Sequence, residues 1–195
     1  MKESIIAIGE ILFDFNQKNK HLGGAPFNFF YHIFNITGRG YFVSRIGNDK
    51  LGLEIKHFFK GHNINDKFLQ IDTQHKTGRA FANLDKNGVP HWEIEDNSAF
   101  DFIENRSDLM NLIEGETQCL YFGTLCQRNN ISRETIQSLF FREIQYFCDL
   151  NLRQNYYSKE IIDIALKTSN ILKINEDELH NINNLFFNGV VKDEK

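Results

Sequence analysis

Residues 4–15, SIIAIGEILFDF, decide the fold. After Ser4 the opening is continuously apolar and rich in isoleucine, the character of a strand buried on both faces of a parallel sheet. Glu10 and Asp14 interrupt the stretch, and no basic segment or cleavage-site pattern accompanies it, so it reads as a strand and not as a signal peptide. The residues predict a first strand at 5–8. Segments 41–45, 118–122, 145–149 and 170–174 share the same character and are read as four more strands. Helical patterns near 25–36, 51–60, 106–112, 132–142 and 158–167 alternate with them. That alternation predicts an α/β fold with a mostly parallel, doubly wound sheet and helices on both sides. Two regions break the rhythm, FDFNQKNKHLGG (13–24) and TGRAFANLDKNGVPHWEIED (77–96, with KNG as its turn), and read as hairpins standing off the main sheet.

The composition suits one globular domain. Of the 195 residues, 41% are hydrophobic and 25% charged, enough apolar material for one core. A net charge of −4 and an isoelectric point near 6.0 give no electrostatic footprint for nucleic acid. No apolar run is long enough to span a bilayer. The three cysteines, Cys119, Cys126 and Cys148, are odd in number and match no zinc spacing, which predicts free thiols in the cytoplasm.

In open α/β sheets ligands bind at the carboxyl ends of the strands, so the polar residues that follow each strand are the candidates for function. GEILFDF places Asp14 after the first strand. CDLNLR places Asp149, Asn151 and Arg153 after the fourth, and INEDEL places Asn175 and Glu178 after the fifth. The stretch HLGGAPFNFF (21–30) sets Gly23 and Gly24 before a helix that carries Asn28 in its first turn. Converged at one crevice, these groups would offer the chemistry of a small polyol held beside a phosphate.

AIGEILFDF, HLGGAPFNFFYHI, FVSRIGNDKLGLEI, YFGTL, CDLNLR and LKINEDEL, in that order, resemble the successive landmarks of the ribokinase and fructokinase family of carbohydrate kinases, also called the phosphofructokinase B family. GEILFD and the D-x-N-x-R pattern resemble its fructokinase branch. The resemblance implies a ribokinase-like three-layer α/β/α fold with a small β-hairpin lid at about 12–22 and 77–96, all within a single incomplete kinase domain. It implies that Asp14, Gly23, Gly24, Asn28 and Arg153 bind a monosaccharide, fructose by branch, and that Asn175 and Glu178 organise Mg²⁺ and the phosphates of ATP through waters. Arg79 and Trp92 on the second hairpin are further contacts that do not choose the sugar. A homodimer through the lid is a further expectation.

The family's glycine-rich loop ending in Gly-Asp, which supplies the catalytic base, has no counterpart in these 195 residues, and no Walker-type loop replaces it. The chain alone is therefore expected to be nearly or wholly inactive, since phosphoryl transfer depends on that electrostatic cradle. An uncovered apolar face is expected with it. A non-catalytic sugar-binding or regulatory fragment, or a subunit completed by a second chain, is the alternative. The candidate residues also admit purely structural roles: Asp14 ending a strand, Asn28 capping a helix, Arg153 pairing with Asp149, and Asn175 with Glu178 forming a capping box.

Overall fold

The computed structural model describes residues 4–16, 19–84, 90–140 and 143–189. Its main sheet contains β1 (Ser4–Ile8), β4 (Tyr41–Gly47), β5 (Leu69–Asp72), β8 (Thr117–Gly123), β9 (Gln145–Asp149) and β10 (Ile171–Lys173). These six strands lie in the order β10-β9-β8-β1-β4-β5, and every pairing among them is parallel. The chain runs outward from β1 to β5, returns to β8 on the other side of β1, and runs outward again. The winding reverses between β1 and β8. That is the topological switch point at which open α/β sheets hold their ligands.

Side-chain alternation along the strands builds two cores. Ala7, Phe42, Ile46 and Tyr121 face α1 (Ala25–Thr37) and α2 (Lys50–Gly61), meeting Phe27, Phe30, Ile55 and Phe59. Ile6, Ile8, Val43, Leu120, Phe122, Tyr146 and Cys148 face the opposite way. They are covered by α3 (Ser107–Gly115), α4 (Asn130–Gln137), α5 (Lys159–Thr168) and α6 (Glu176–Phe187), through residues such as Leu109, Ile136, Ile162 and Ile182. The result is three layers, helix on sheet on helix.

Four strands predicted from the sequence match within a few residues, and the fifth, read at 170–174, is confined to Ile171–Lys173. The edge strand β5 is an addition, and α6 continues to Phe187 the helix start that the Asn175–Glu178 capping pattern implies. The helix read at 132–142 begins earlier, at Asn130, because the Asn129 side chain accepts the Ile131 N–H at 3.0 Å and caps it.

The segments read as hairpins form a second sheet. In it β2 (Leu12–Phe15) pairs antiparallel with β3 (Lys20–Gly23), β6 (Gly78–Leu84) pairs antiparallel with β7 (Pro90–Ile94), and β2 pairs parallel with β6. The KNG turn lies outside the described residues. Two ties hold this small sheet to the main body. Asp49 caps α2 through the Gly52 N–H and also accepts the Thr77 N–H and hydroxyl at 2.9 and 2.8 Å, at the start of β6. Arg128, in the turn after β8, pairs with Asp101 at 2.7 Å, donates to the Glu95 carbonyl just beyond β7, and lies against the Phe100 and Tyr156 rings.

Among the described residues, Cys126 and Cys148 are buried and Cys119 half-buried, all as free thiols. At the β10 side of the molecule Ile171, Leu172, Leu179 and Phe187 are exposed. No described helix is long and apolar enough to cross a membrane.

Asp101 is 1% exposed, so removing Arg128 leaves it with the Ser98 N–H but as a buried charge without a counter-charge. Arg128→Ala is expected to lower unfolding free energy by about 3–5 kcal/mol, read by urea denaturation at neutral pH.

Candidate functional site

A cavity of about 220 Å³ opens where the winding reverses, between the main sheet and the lid. Glu10, Leu12 and Asp14 enter it from the segment after β1, Gly24, Ala25 and Asn28 from the start of α1, and Leu125 from the turn after β8. Asn151 and Arg153 come from the loop after β9, and Ala80, Trp92 and Ile94 come from the lid. The floor is polar and the roof apolar. A volume this small, below the roughly 300–1,000 Å³ of drug-sized sites, suits one small polar molecule stacked under an aromatic wall.

Asp14 sits within β2 and does not end it, so the strand-end reading is not what the structure shows. Its carboxylate fills the space beside Gly23, where a Cβ would stand 2.6 Å from Asp14 Oδ2. Gly24 has φ of +111°, and a Cβ there would meet the Glu10 carbonyl at 2.5 Å. Only glycine lets α1 start this close above Glu10. Asn28 lies one turn into α1, where its own N–H donates to the Gly24 carbonyl at 2.8 Å, so it is not the cap. Its side chain is exposed toward the cavity that it lines. Asp14, Gly24, Asn28 and Arg153, distant in sequence, therefore line one cavity, with Gly23 directly behind the carboxylate.

Arg153 does not take Asp149 as its ion-pair partner. Asp149 accepts from Lys173 Nζ at 2.9 Å and from the Tyr121 hydroxyl at 2.8 Å. Its positive charge instead acts on the cavity's two carboxyls. Burial raises the Asp14 carboxyl above its ordinary range, and the charges of Arg153 and His21 work against that rise.

Asn175 and Glu178 do not line the cavity. They form a capping box at the start of α6: Asn175 Oδ1 accepts the Glu178 N–H at 2.8 Å, and Glu178 Oε2 accepts the Asn175 N–H at 2.9 Å. Glu178 Oε1 accepts the Leu152 N–H at 2.8 Å, next to Arg153. With both oxygens engaged by main-chain donors and only 5% exposure, this carboxylate does not fit direct coordination of a divalent cation. Among the described residues no cluster of three His, Cys, Asp or Glu side chains is placed to hold a metal. What the box does here is tie α6 to the loop that presents Arg153. Of the two hairpin residues, Trp92 reaches the cavity, whereas Arg79 pairs with Glu95 at 2.5 Å and does not.

Glu10 is the site residue that sequence reading passed over as an interruption of an apolar run. It is 2% exposed and lines the cavity, and its Oε2 has no hydrogen-bond partner among the described residues. Burial pushes its carboxyl up to about 7, opposed by hydrogen bonds from the main-chain N–H groups of Glu10 and Ala25. Asp149 adds to the rise and Arg153 opposes it. The only sequence signal is an acid directly after an otherwise buried strand.

The raised value fixes a sign for stability. Between the ordinary carboxyl value of 4.5 and about 7 the folded chain keeps a proton that the unfolded chain has released, so stability falls as pH rises through that window. The loss attributable to Glu10 is expected to be roughly 3 kcal/mol, complete above the folded value, and absent in Glu10→Gln. Urea denaturation of both chains across the window checks it.

The sequence profile described as "pfkB family carbohydrate kinase" matches residues 2–188. A sugar kinase of Pyrococcus horikoshii is 25% identical over 195 residues, covering 90% of this chain and 62% of that protein. The fructokinase of Salmonella typhimurium is 24% identical over 166 residues, covering 80% of this chain and 53% of that protein. The chain thus spans about two to three fifths of the length of the curated relatives it matches. Among solved structures, the fructokinase of Xylella fastidiosa with bound ATP superposes with a TM-score of 0.82 at 19% identity, over 94% of this chain and 61% of that one. The Pyrococcus horikoshii sugar kinase superposes with a TM-score of 0.79 at 24% identity, over 92% of this chain and 68% of that one. These likenesses establish the ribokinase-like α/β fold, and because the family profile matches nearly the whole chain, the protein belongs to the pfkB family of carbohydrate kinases.

Proposed function

We propose that this chain is the monosaccharide-binding portion of a fructokinase-type kinase, and that its cavity takes a ketohexose, D-fructose foremost. One observation carries the reading: Asp14, Asn28 and Arg153, from three separate elements, line a single sugar-sized cavity at the topological switch point. Asp14 accepts hydrogen bonds from two neighbouring hydroxyls, and the charge makes those bonds strong. Asn28 offers one acceptor and two donors to a further hydroxyl. Arg153 holds the side of the sugar that faces the transferred phosphoryl group, and Trp92 covers the ring from the lid.

In the complete reaction ATP with Mg²⁺ supplies the γ-phosphoryl group to a sugar hydroxyl. The capping box of Asn175 and Glu178 serves that reaction by position, holding the Arg153 loop against α6. These 195 residues include no Gly-Asp base for the attacking hydroxyl, so the chain binds sugar without turning it over. The exposed Ile171, Leu172, Leu179 and Phe187 favour a second reading in which another polypeptide completes the kinase. In either case two copies would pair through the outer lid strands β3 and β7.

Titration calorimetry with D-fructose is expected to show heat and saturation for the 195-residue chain. Asp14→Asn is expected to weaken binding roughly 10- to 100-fold, the worth of losing charge-assisted bonds. A coupled ADP-release assay on the same preparation is expected to read no turnover. Sustained turnover would replace this reading with that of a self-sufficient kinase, and an affinity unmoved by Asp14→Asn would remove the cavity as the sugar site.

A further inference from the structure

The cavity contains one polar atom that nothing in the described protein satisfies. Glu10 lines the cavity with a side chain 2% exposed, and its buried Oε2 has no hydrogen-bond partner among the described residues. A buried carboxylate oxygen left unpaired costs the full desolvation penalty of the group, so its persistence beside an open cavity points to a donor that arrives with the ligand. The carboxyl is already drawn to the main chain, since the N–H groups of Glu10 and Ala25, the latter at the start of α1, both act on it.

Resting on the sugar-site reading above, we propose that Glu10 is a second carboxylate contact of the bound sugar, its carboxyl turning to accept a hydroxyl hydrogen and restricting the cavity to uncharged polyols. With Glu10 and Asp14 against the one guanidinium of Arg153, a ligand bearing its own carboxylate would bring a third anion to two.

The contact has a protonation consequence. The ionised carboxylate accepts a hydroxyl more strongly than the neutral acid does, so binding draws Glu10 toward its ionised form and releases a proton. The groups that face Glu10 are known. Asp149 ends β9 and is held by Lys173 and Tyr121, Arg153 follows it, Cys126 and Tyr121 come from β8 and its following turn, and Asp14 comes from β2. Burial pushes the Tyr121 phenol and the Cys126 thiol up, out of the neutral range. His21 lies across the β2–β3 pair from Asp14, so it needs its own control.

Titration calorimetry of the full chain with D-fructose and with D-ribose, from about pH 6 to about pH 8, decides the matter, and affinity for the sugar that binds is expected to rise roughly tenfold over that range, one pKa unit of difference. Repeating the titration in buffers of different ionisation enthalpy is expected to count protons released. Glu10→Gln is expected to bind more weakly with a flat pH profile and no proton release, Glu10→Asp to recover part of both, and His21→Gln to keep the wild-type profile. Circular dichroism of each variant separates loss of contact from loss of fold. D-gluconate is expected to show no heat.

A Glu10→Gln chain that binds sugar with the wild-type affinity and pH profile, while Asp14→Asn has lost binding, would overturn the role of Glu10 and leave the sugar site standing. A wild-type chain that binds neither sugar would overturn both. Tighter binding of D-gluconate than of D-fructose would overturn the selection against charge. Should Glu10→Gln fail to fold, the proton count on the wild-type chain still decides, since no release near neutrality contradicts the contact.

Discussion

Everything at this site depends on the close approach of two backbones, where the start of α1 lies against the chain leaving β1. Gly24, at φ of +111°, has no room for a side chain between itself and the Glu10 carbonyl. That contact sets the first turn of α1 over the carboxyl end of the innermost parallel strand, so the Ala25 N–H reaches the Glu10 carboxyl and Asn28 opens onto the same cavity. Because the winding reverses between β1 and β8, the helices that follow these strands depart to opposite faces. The gap between them is a product of topology, and the chain fills it with polar side chains.

The lid is coupled to this floor by the loop that presents Arg153. Both main-chain groups of Ile94, at the end of β7, are engaged by that loop: its N–H donates to Gln154 Oε1 at 3.1 Å and its carbonyl accepts from the Tyr156 hydroxyl at 3.0 Å. Arg153 is flanked by Asn151 at φ of +43° and Gln154 at +47°. Asparagine adopts this left-handed backbone readily, whereas glutamine does so at a cost. The lid contact compensates for that strain. Trp92 and Arg153, the cavity's roof and one of its walls, are therefore positioned by a single cluster of contacts, and the lid cannot shift without disturbing the guanidinium.

Much of the frame was legible because strands buried on both faces have no polar alternation to confuse them. Segment 145–149 centres on the apolar run Tyr146–Cys148 and is β9 to the residue. β5 escaped because it is a short edge strand whose Ile71 is exposed while the polar Gln70 and Asp72 are buried, the reverse of what hydropathy expects. α6 escaped as a full helix because its sequence, EDELHNINNLFF, has only Leu179 and Ile182 as apolar residues among its first nine and buries little beyond Glu178 and Ile182. Asp14, Asn28 and Arg153 were legible through their motifs, since no periodicity brings positions 14, 28 and 153 together. Glu10 was not legible at all. Its importance comes from being buried at a cavity floor, a property of the tertiary arrangement that an acid following a strand does not announce.

A protein under selection for stability alone would not keep an ionisable group where Glu10 stands. An apolar side chain of similar size would fill the same space without desolvating a charge, and replacements of that kind in buried sites are often neutral or stabilising. The compensation Glu10 receives is partial: the main-chain N–H groups of Glu10 and Ala25 act on its carboxyl, and its Oε2 has no partner among the described residues. A group serving only to cap α1 would need the N–H groups and would gain from having Oε2 satisfied by protein. Leaving Oε2 open is the arrangement of a preorganised acceptor, in which the folded chain carries the desolvation cost so that a ligand's hydroxyl need not. Asp14, half-buried against Gly23 with its own carboxyl displaced upward by burial, repeats the same design on the neighbouring strand.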